Sequence, residues 1–230
     1  MLTVLKGAIQ NNKLVQVAKT PVNSILAAYK NPEVQDAYNA AQYVLCDGMP
    51  VKWAASFLKT PILERITGLD LLPNLVTLCA KNDFSIFLLG ASPVVGEKLK
   101  EVILTNYQHA SVVGVYVPPF MTTFTEEENN KMINAVNAAS PDVLLVSLTA
   151  PKQDIWIANN KDALNATLLV GIRGAFEVMA GLAKRAPKWA QKAGLEWLYR
   201  FIQEPKRLFR RNFIEAPLFI PLIIKQKWGN

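Results

Sequence analysis

The sequence has 230 residues, of which 51% are apolar and 19% charged. This length and composition predict one large α/β domain or one domain with an appendage, and they argue against disorder. Cys46 and Cys79 both lie in apolar runs, which is typical of buried free thiols in a reducing compartment. No signal-peptide core is visible, and no apolar run reaches the roughly 18 residues of a membrane-spanning helix. We therefore expect a cytoplasmic protein.

The net charge of +7 is concentrated near the C-terminus. Nine Lys and Arg residues and only two Glu residues lie between positions 184 and 211, so this segment accounts for the whole net charge. We therefore divide the chain into an α/β domain, residues 1–183, and a basic appendage, residues 184–230.

Strand-like and helix-like segments alternate through the predicted domain. The predicted strands are residues 13–18, 43–46, 84–89, 111–117, 142–148 and 166–171. Helices are predicted after Thr20-Pro21 and after Thr125, and over residues 34–41, 51–58, 71–80, 94–105, 151–158 and 175–182. Such alternation predicts right-handed crossovers and a Rossmann-like α/β fold, with a mostly parallel sheet and helices on both faces.

Asp47 is the first candidate for chemistry. It follows an apolar strand that reads as buried, residues 43–46, and precedes a turn at Gly48. In open α/β sheets the ligand lies at the carboxyl ends of the strands. A carboxylate there could be a general base that takes the proton of an attacking hydroxyl. The alternative is a carboxylate that only caps a turn or a helix.

Four other polar residues stand at the ends of predicted elements. Arg65 and Asp70 share a loop between apolar helices, Gln153 follows a strand, and Glu177 begins a helix. An arginine could stabilise the charge that grows on a leaving diphosphate. For Arg65, a surface ion pair with Glu64 or Asp70 is the alternative.

The sequence argues against several other kinds of chemistry. A single histidine, His109, and two isolated cysteines make a His/Cys zinc site or a Ser-His-Asp triad a poor fit. Phosphate-loop, GxGxxG and Asp-x-Asp motifs are absent from the sequence. We therefore expect no cofactor and no metal. A nucleotide diphosphate would be held by helix N-termini, backbone N–H groups and basic side chains.

The appendage combines cations with apolar rings. Residues 186–203 are predicted to form one amphipathic helix that carries Trp189 and Trp197, and the apolar segment 212–224 is broken by charge and proline. This combination favours contact with an anionic membrane surface. A helix packed on the domain, or a subunit contact in a homo-oligomer, is the alternative. No nucleic-acid partner is expected, because no reader fold is recognisable.

Several short motifs, taken together in this order and spacing, resemble the bacterial WecG/TagA/CpsF glycosyltransferases over nearly the whole chain. The motifs are DG at 47–48, R…TG…D at 65–70, FLLG at 87–90, PDVL at 141–144, APKQDIW at 150–156, GAFE at 174–177, RAPKW at 185–189, LEWLYR at 195–200 and QEPKR at 203–207. The resemblance implies an inverting, metal-independent transferase. It would move a sugar, often N-acetylmannosamine, from a UDP-sugar to a polyprenyl-diphosphate-linked acceptor in surface polysaccharide or teichoic acid biosynthesis. It also implies a peripheral location on the inner face of the cytoplasmic membrane, with the appendage closing the site.

The resemblance also implies roles for individual residues. Asp47 would be the general base, and Arg65 and Gln153 would line the active site. Substrate-binding roles fall to Thr20, Asn23, Asp70, Glu177, Arg200, Arg207 and Arg210. Thr20 and Asn23 would contact the acceptor, although their TPVN spacing is one residue longer than the family pattern. The three appendage arginines would face the diphosphate.

The sequence departs from the family pattern at four positions. Ser147 and Thr149 stand where glycines are usual, Asp154 replaces Glu, and Arg173 occupies a position that is usually small or aliphatic. These departures leave the donor sugar open, so a sibling activity with glucose or another hexose is an alternative. A non-catalytic membrane-surface or partner-binding module that keeps the fold is the second alternative.

Overall fold

The structure is a computed structural model that describes residues 1–229 apart from the side chain of Lys192. The six strands are β1 Val15–Thr20, β2 Tyr43–Cys46, β3 Ser85–Gly90, β4 Ser111–Tyr116, β5 Val143–Ser147 and β6 Leu168–Gly171. They form one sheet in the order β2-β1-β6-β5-β3-β4, and every pairing is parallel. This confirms the predicted α/β Rossmann-like fold. Residue 230, the last of the predicted appendage, lies outside the described residues.

Helices connect the strands and continue after the last one. In the first part of the chain they are α1 Leu2–Gln10, α2 Val22–Lys30, α3 Pro32–Asn39, α4 Met49–Phe57, α5 Gly68–Lys81, α6 Pro93–Asn106, α7 Glu126–Ala139, α8 Lys152–Asn160 and α9 Ala175–Met179. Then follow α10 Lys188–Lys192, α11 Glu196–Gln203, α12 Pro205–Phe209, a π-helical turn Arg210–Glu215, a 3-10 turn Ala216–Leu218 and α13 Phe219–Trp228. None of the helices in residues 1–229 is both long enough and apolar enough to cross a membrane.

The core lies on both faces of the central strands. Leu88 of β3 is fully buried on one face, among side chains from α1, α5, α6 and α9. Its neighbour Phe87 points to the other face and joins Met132 of α7 and Trp156 of α8. Strands covered on both faces need apolar side chains at successive positions, which explains the continuous apolar runs of the sequence.

The interpretation of β2 as a buried strand was only half right. Leu45 and Cys46 are buried, but the Val44 side chain is 47% exposed. The reason is topological, because β2 is an edge strand that pairs only with β1. Asp47 still follows the carboxyl end of β2, at the end of the sheet where β1 and β6 also finish.

The prediction of one helix over residues 186–203 was wrong. The chain forms α10 and α11, separated by a break at Gly194, whose φ is 74°. Glycine adopts this left-handed conformation without the steric cost that other residues carry. The break also lies against α4, since a Cβ on Gly194 would be 3.1 Å from Met49 Cγ.

Two further segments differ from the sequence interpretation. Helix α1 was not predicted, although Leu5, Ala8 and Ile9 are buried at the spacing of one helical face. The interrupted segment 212–224 is helical in short pieces, and Pro221 lies in the first turn of α13, where a missing N–H leaves no hydrogen bond unmade.

The last helix is anchored to the domain at the end of α4. The Lys227 ammonium donates to the carbonyl of Phe57 at 2.8 Å and lies 3.5 Å from the centroid of the Phe57 ring. Trp228 packs edge-on against the same ring, with 5.7 Å between centroids. The end of α13 therefore packs on the end of α4, the helix that follows β2 and the Asp47 loop.

Candidate active site

The ends of three neighbouring strands bring the candidate residues together. Strand β1 lies between β2 and β6, and Thr20 at its end is level with Cys46 at the end of β2. The chain then leaves the sheet at Asp47 after β2 and at Ile172 after β6. Carboxyl ends of adjacent parallel strands form the usual ligand crevice of an open α/β sheet.

Asp47 is held on the turn between β2 and α4. The next residue, Gly48, has a φ of 119°, a conformation that L side chains rarely adopt. The Asp47 side chain is 24% exposed, so solvent or a substrate reaches its carboxylate. Its nearest cation in the described part of the chain is the Lys19 ammonium, 3.9 Å from Oδ2.

Lys19 is a buried cation that the sequence interpretation missed. Its side chain is 3% exposed, and its Nζ donates to the Ile172 carbonyl at 2.8 Å. Burial lowers the pKa of Lys19 to about 8, an effect that the carboxylate of Asp47 opposes. Helix α5 begins at Gly68, where a Cβ would collide with Nζ. The available signal was a lysine inside an apolar strand, VQVAKT.

Gln153 is completely buried and joins α8 to the turn after β6. Its Oε1 accepts a hydrogen bond from the backbone N–H of Arg173 at 3.2 Å. Gly171 leaves room for the amide, because a Cβ there would overlap Gln153 Nε2. Gln153 thus fixes the turn beside Lys19 rather than presenting its side chain to solvent. A direct contact with substrate stays a prediction.

Arg173 is the centre of a hydrogen-bonded network. Its guanidinium donates to Ser24 Oγ and to the Tyr38 hydroxyl, each at 3.0 Å, and forms an ion pair with Asp154. Burial alone would lower the pKa of Arg173, but Asp154 and Tyr38 raise it overall. Burial raises the pKa of Tyr38 to about 12, so its hydroxyl keeps the proton that it donates to Asp154 at 3.0 Å.

Three of the four departures from the family pattern meet in this network. Asp154 is the ionic partner of Arg173, and Ser147 Oγ donates to the Arg173 carbonyl at 2.8 Å. Arg173 has a φ of 55°, which is costly for a residue with a side chain unless its contacts compensate. The fourth departure, Thr149, uses its backbone carbonyl to accept from Gln153 N–H at 3.1 Å.

Glu177 and Arg200 lie on either side of a small gap at Gly174. From the position of a Cβ on Gly174, Arg200 Nη2 would be 3.4 Å away and Glu177 Oε2 3.6 Å away. Glu177 Oε2 is buried and has no hydrogen-bond partner among the described residues. A buried acceptor without a partner is uncommon in folded proteins. The gap between α9 and α11 therefore contains a free acceptor next to a cation.

The appendage arginines face in different directions. Arg210 is 81% exposed and pairs with Glu215 at 3.1 Å, while Arg207 is bound by Glu204 at 2.8 Å. Arg211 is partly buried, and burial followed by the charges of Arg200 and Arg207 lowers its pKa. Arg211, which the sequence interpretation did not select, therefore lies close enough to Arg200 and Arg207 for their charges to act on it. Nothing in the sequence separates the two adjacent arginines.

Arg65 and Asp70 both contact the appendage. Arg65 Nη1 lies 3.2 Å from Glu196 Oε2, so its partner is neither Glu64 nor Asp70. Asp70 accepts from Thr67 Oγ1 at 2.7 Å and pairs with Arg185, which also lies 3.4 Å from Glu196.

Burial acts to raise the pKa of Asp70, but the bonds from Thr67 and Arg185 lower it overall. Together Arg65, Glu196, Arg185 and Asp70 form an ionic chain that joins the domain to residues 184–229. The predicted substrate contacts of Arg65 and Asp70 stay predictions.

Thr20 is the last residue of β1, and Asn23 follows it at the start of α2. Thr20 Oγ1 donates to the Leu45 carbonyl at 3.2 Å, which ties the end of β1 to β2. Asn23 is partly exposed in the first turn of α2. Their role as an acceptor pair stays a prediction.

The arrangement can support proton transfer next to a developing anion. Asp47 offers a partly exposed carboxylate, the charge of Arg200 acts on Lys19, and the charge of Arg173 acts on Arg211. Within residues 1–229, no three His, Cys, Asp or Glu side chains are grouped as metal ligands.

Comparison with known proteins gives a consistent result. The model of the glycosyl transferase WecG/TagA/CpsF family matches residues 1–230. Two similar proteins come from Staphylococcus aureus strains MRSA252 and NCTC 8325, and both are named N-acetylglucosaminyldiphosphoundecaprenol N-acetyl-beta-D-mannosaminyltransferase. Each is 30% identical over 235 residues, a match that covers 98% of this chain and 89% of the relative.

Proposed function

This chain belongs to the WecG/TagA/CpsF glycosyltransferase family, and from that premise we propose that it moves N-acetylmannosamine or a related hexose from a UDP-sugar to a polyprenyl-diphosphate-linked acceptor. The names of the similar staphylococcal proteins support a sugar acceptor on diphosphoundecaprenol. The reaction is inverting, needs no metal and serves surface polysaccharide or teichoic acid synthesis. The observation that carries the proposal is a reachable carboxylate, Asp47, at the strand ends beside a group of cations.

Asp47 acts as the general base. It takes the proton of the acceptor hydroxyl as that oxygen attacks the anomeric carbon from the face opposite the diphosphate. The bond from the anomeric carbon to the diphosphate oxygen breaks, and that oxygen keeps the electron pair. A single displacement of this kind inverts the anomeric configuration. The partial exposure of Asp47 lets the hydroxyl approach, since a fully buried carboxylate would not meet it.

The appendage cations stabilise the leaving diphosphate. Arg200, Arg207 and Arg211 lie close enough to one another to affect the pKa of Arg211, and Arg200 also affects Lys19. A developing anion at this position would relieve the repulsion among these cations. This supports charge stabilisation by arginine in place of a divalent metal. Glu177 would lie near the nucleotide, next to Gly174 and Arg200.

The appendage also places the enzyme on the inner face of the cytoplasmic membrane. Trp189, Ile202, Ile220 and Trp228 are each more than 60% exposed, and the appendage carries eleven Lys and Arg residues against three Glu residues. Rings and aliphatic chains suit the acyl boundary, and cations suit anionic headgroups. A lipid-linked acceptor would then meet Asp47 without leaving the bilayer.

The deciding experiment measures UDP release from a panel of UDP-sugars, with a short-chain polyprenyl-diphosphate-GlcNAc acceptor in detergent. We expect release with one donor, unchanged by EDTA. Asp47→Asn should lower turnover by about 10²- to 10⁴-fold, because general-base catalysis contributes on that scale. Asp36→Asn is the matched control, since Asp36 is exposed on α3, and it should turn over normally.

Two results would count against the proposal. Normal turnover by Asp47→Asn would remove this carboxylate from the mechanism. No release with any donor, together with salt-sensitive binding to anionic vesicles, would favour a binding module that keeps the fold.

A further inference from the structure

We propose that Lys19 is a positioning residue for the base, and that its ammonium holds the Asp47 carboxylate in a fixed place relative to the turn after β6. This inference rests on the proposed role of Asp47. It adds a residue to the site that neither the motifs nor the family resemblance singled out.

The geometry joins three chain segments through one nitrogen. Lys19 Nζ donates to the Ile172 carbonyl at 2.8 Å and lies 3.9 Å from Asp47 Oδ2. The Asp47 side chain makes no hydrogen bond to the described residues, and its ion pair with Lys19 is the contact that acts on its carboxylate. Gly68 leaves room for the Lys19 ammonium, because a Cβ at that position would displace it.

Burying the Lys19 ammonium has a free-energy cost that other contacts must offset. Removing an ammonium from water costs several kcal/mol, and an apolar side chain in β1 would pack without that cost. The side chain is 3% exposed, too little for Lys19 to act as a surface cation. The contacts of Lys19 with the Ile172 carbonyl and the Asp47 carboxylate offset this cost. These are the two groups that Lys19 connects in the proposal.

The charges around Lys19 set the pH range in which the ammonium exists. Asp47 and Asp154 favour the protonated form, while Arg173 and Arg200 disfavour it. The positive N-terminal end of α5 at Gly68 also disfavours it. With burial added, the pKa of Lys19 falls to about 8. Lys19 is therefore charged at pH 7 in the free enzyme and loses its charge in the mildly alkaline range.

The test compares kcat/KM from pH 6 to 10 for the wild-type enzyme and Lys19→Met, because kcat/KM reports the ionisation of the free enzyme. The wild type should lose rate as the pH rises through about 8. Lys19→Met should be about a hundredfold slower at pH 7, as expected for a misplaced reacting group, and should show no decline near pH 8. If Lys19 only stabilised the fold, its substitution could slow the enzyme at pH 7 but would not remove the decline in kcat/KM near pH 8.

Controls separate position from general damage. Lys161→Met removes a part-buried lysine that donates to the Ala40 carbonyl at 3.3 Å. Ala40 precedes β2, so this contact lies at the opposite end of the strand from Asp47, and the variant should keep the wild-type pH profile of kcat/KM. Lys19→Gln keeps a polar group without the charge and should behave as Lys19→Met does. It serves as the test if the methionine variant does not fold.

Two outcomes would overturn the inference. One is a wild-type kcat/KM at pH 7 in the folded Lys19 variants. The other is a slower variant that still declines near pH 8. If Asp47→Asn is inactive and the Lys19 variants are normal, this inference fails alone. If the wild type transfers no sugar from any donor, the proposed function fails first.

Discussion

Residues 1–183 leave a smaller share of their large apolar side chains exposed than residues 184–229 do. In the first region Leu88, Leu145 and their neighbours are fully buried on the faces of one sheet. In the second region Trp189, Ile220 and Trp228 are mostly exposed, even though the segment is folded into helices. Burial therefore stabilises the domain, whereas much of the apolar surface of residues 184–229 is exposed, as the proposed membrane contact requires.

The junction between the two regions contains an ionic chain, Arg65–Glu196–Arg185–Asp70, in addition to the aromatic contact of Trp228 with Phe57. Glu196 is buried, and the other three members of the ionic chain are partly exposed. An ionic junction responds to pH and to single charge changes, while a packed core responds to lost volume. Four predictions use this contrast.

The largest effect is expected from Leu88→Ala in β3. Deleting a fully buried leucine side chain should lower the free energy of unfolding by about 2–5 kcal/mol, measured by urea denaturation. The matched change Ile220→Ala in α13, where the side chain is 61% exposed, should shift it by no more than about 0.5 kcal/mol and instead weaken vesicle binding. Equal destabilisation by the two variants would contradict the contrast between the regions.

Asp154→Asn should come next, because it breaks an ion pair inside the domain. Arg173 would lose its only ionic partner among the described residues while remaining mostly buried, at a cost of about 3 kcal/mol. We expect a lower urea midpoint. Glu101→Gln removes an exposed partner of Lys98 and should leave the midpoint unchanged, so a similar shift in both variants would argue against a special role for the buried pair.

Glu196→Gln tests the junction itself. It takes one shared carboxylate from both Arg65 and Arg185, which should cost about 1–3 kcal/mol locally. Amide hydrogen exchange should become faster in residues 184–229 and stay unchanged in β3 and β5. Glu204→Gln, which removes a partner of Arg207 within the appendage, should not affect the Arg65 contact. Faster exchange in the sheet strands of the Glu196 variant would show that the regions do not loosen separately.

The smallest effect is expected from acid. The pKa of Asp70 is lower in the folded protein than its ordinary value near 4, so its charge stabilises the junction above about pH 4. That contribution is lost as the pH falls through the lower, folded-state pKa. The protection factors of residues 184–229, which correct for the intrinsic slowing of amide exchange in acid, should therefore fall below pH 4, and Asp70→Asn should remove part of this dependence. An unchanged pH dependence in that variant would exclude Asp70 as its source.

The strands were predictable because their signal is local. A strand covered on both faces must be apolar at successive positions, and residues 84–89 and 142–148 carry that pattern in the sequence. The edge position of β2 was not predictable, because it depends on which strand pairs with β1 and not on the residues 43–46 themselves.

The candidate site was predictable only where a residue follows a strand. Asp47 met that condition. The partner of Arg65 did not, because Glu196 lies 131 positions away along the chain. Lys19 was hidden in an apolar run, and its importance depends on a carbonyl 153 positions away. Contacts between distant segments depend on the sheet order, which periodicity does not encode.

The π-helical turn at Arg210–Glu215 affects how relatives can be compared. Successive side chains in a helix are about 100° apart, so one added residue in a turn rotates everything after it by that amount. A homologue without the added residue would therefore present the same alignment column on a face about 100° away. For residues after the turn, the rotational phase of the helix, rather than the column number, should guide the transfer of a role from one relative to another.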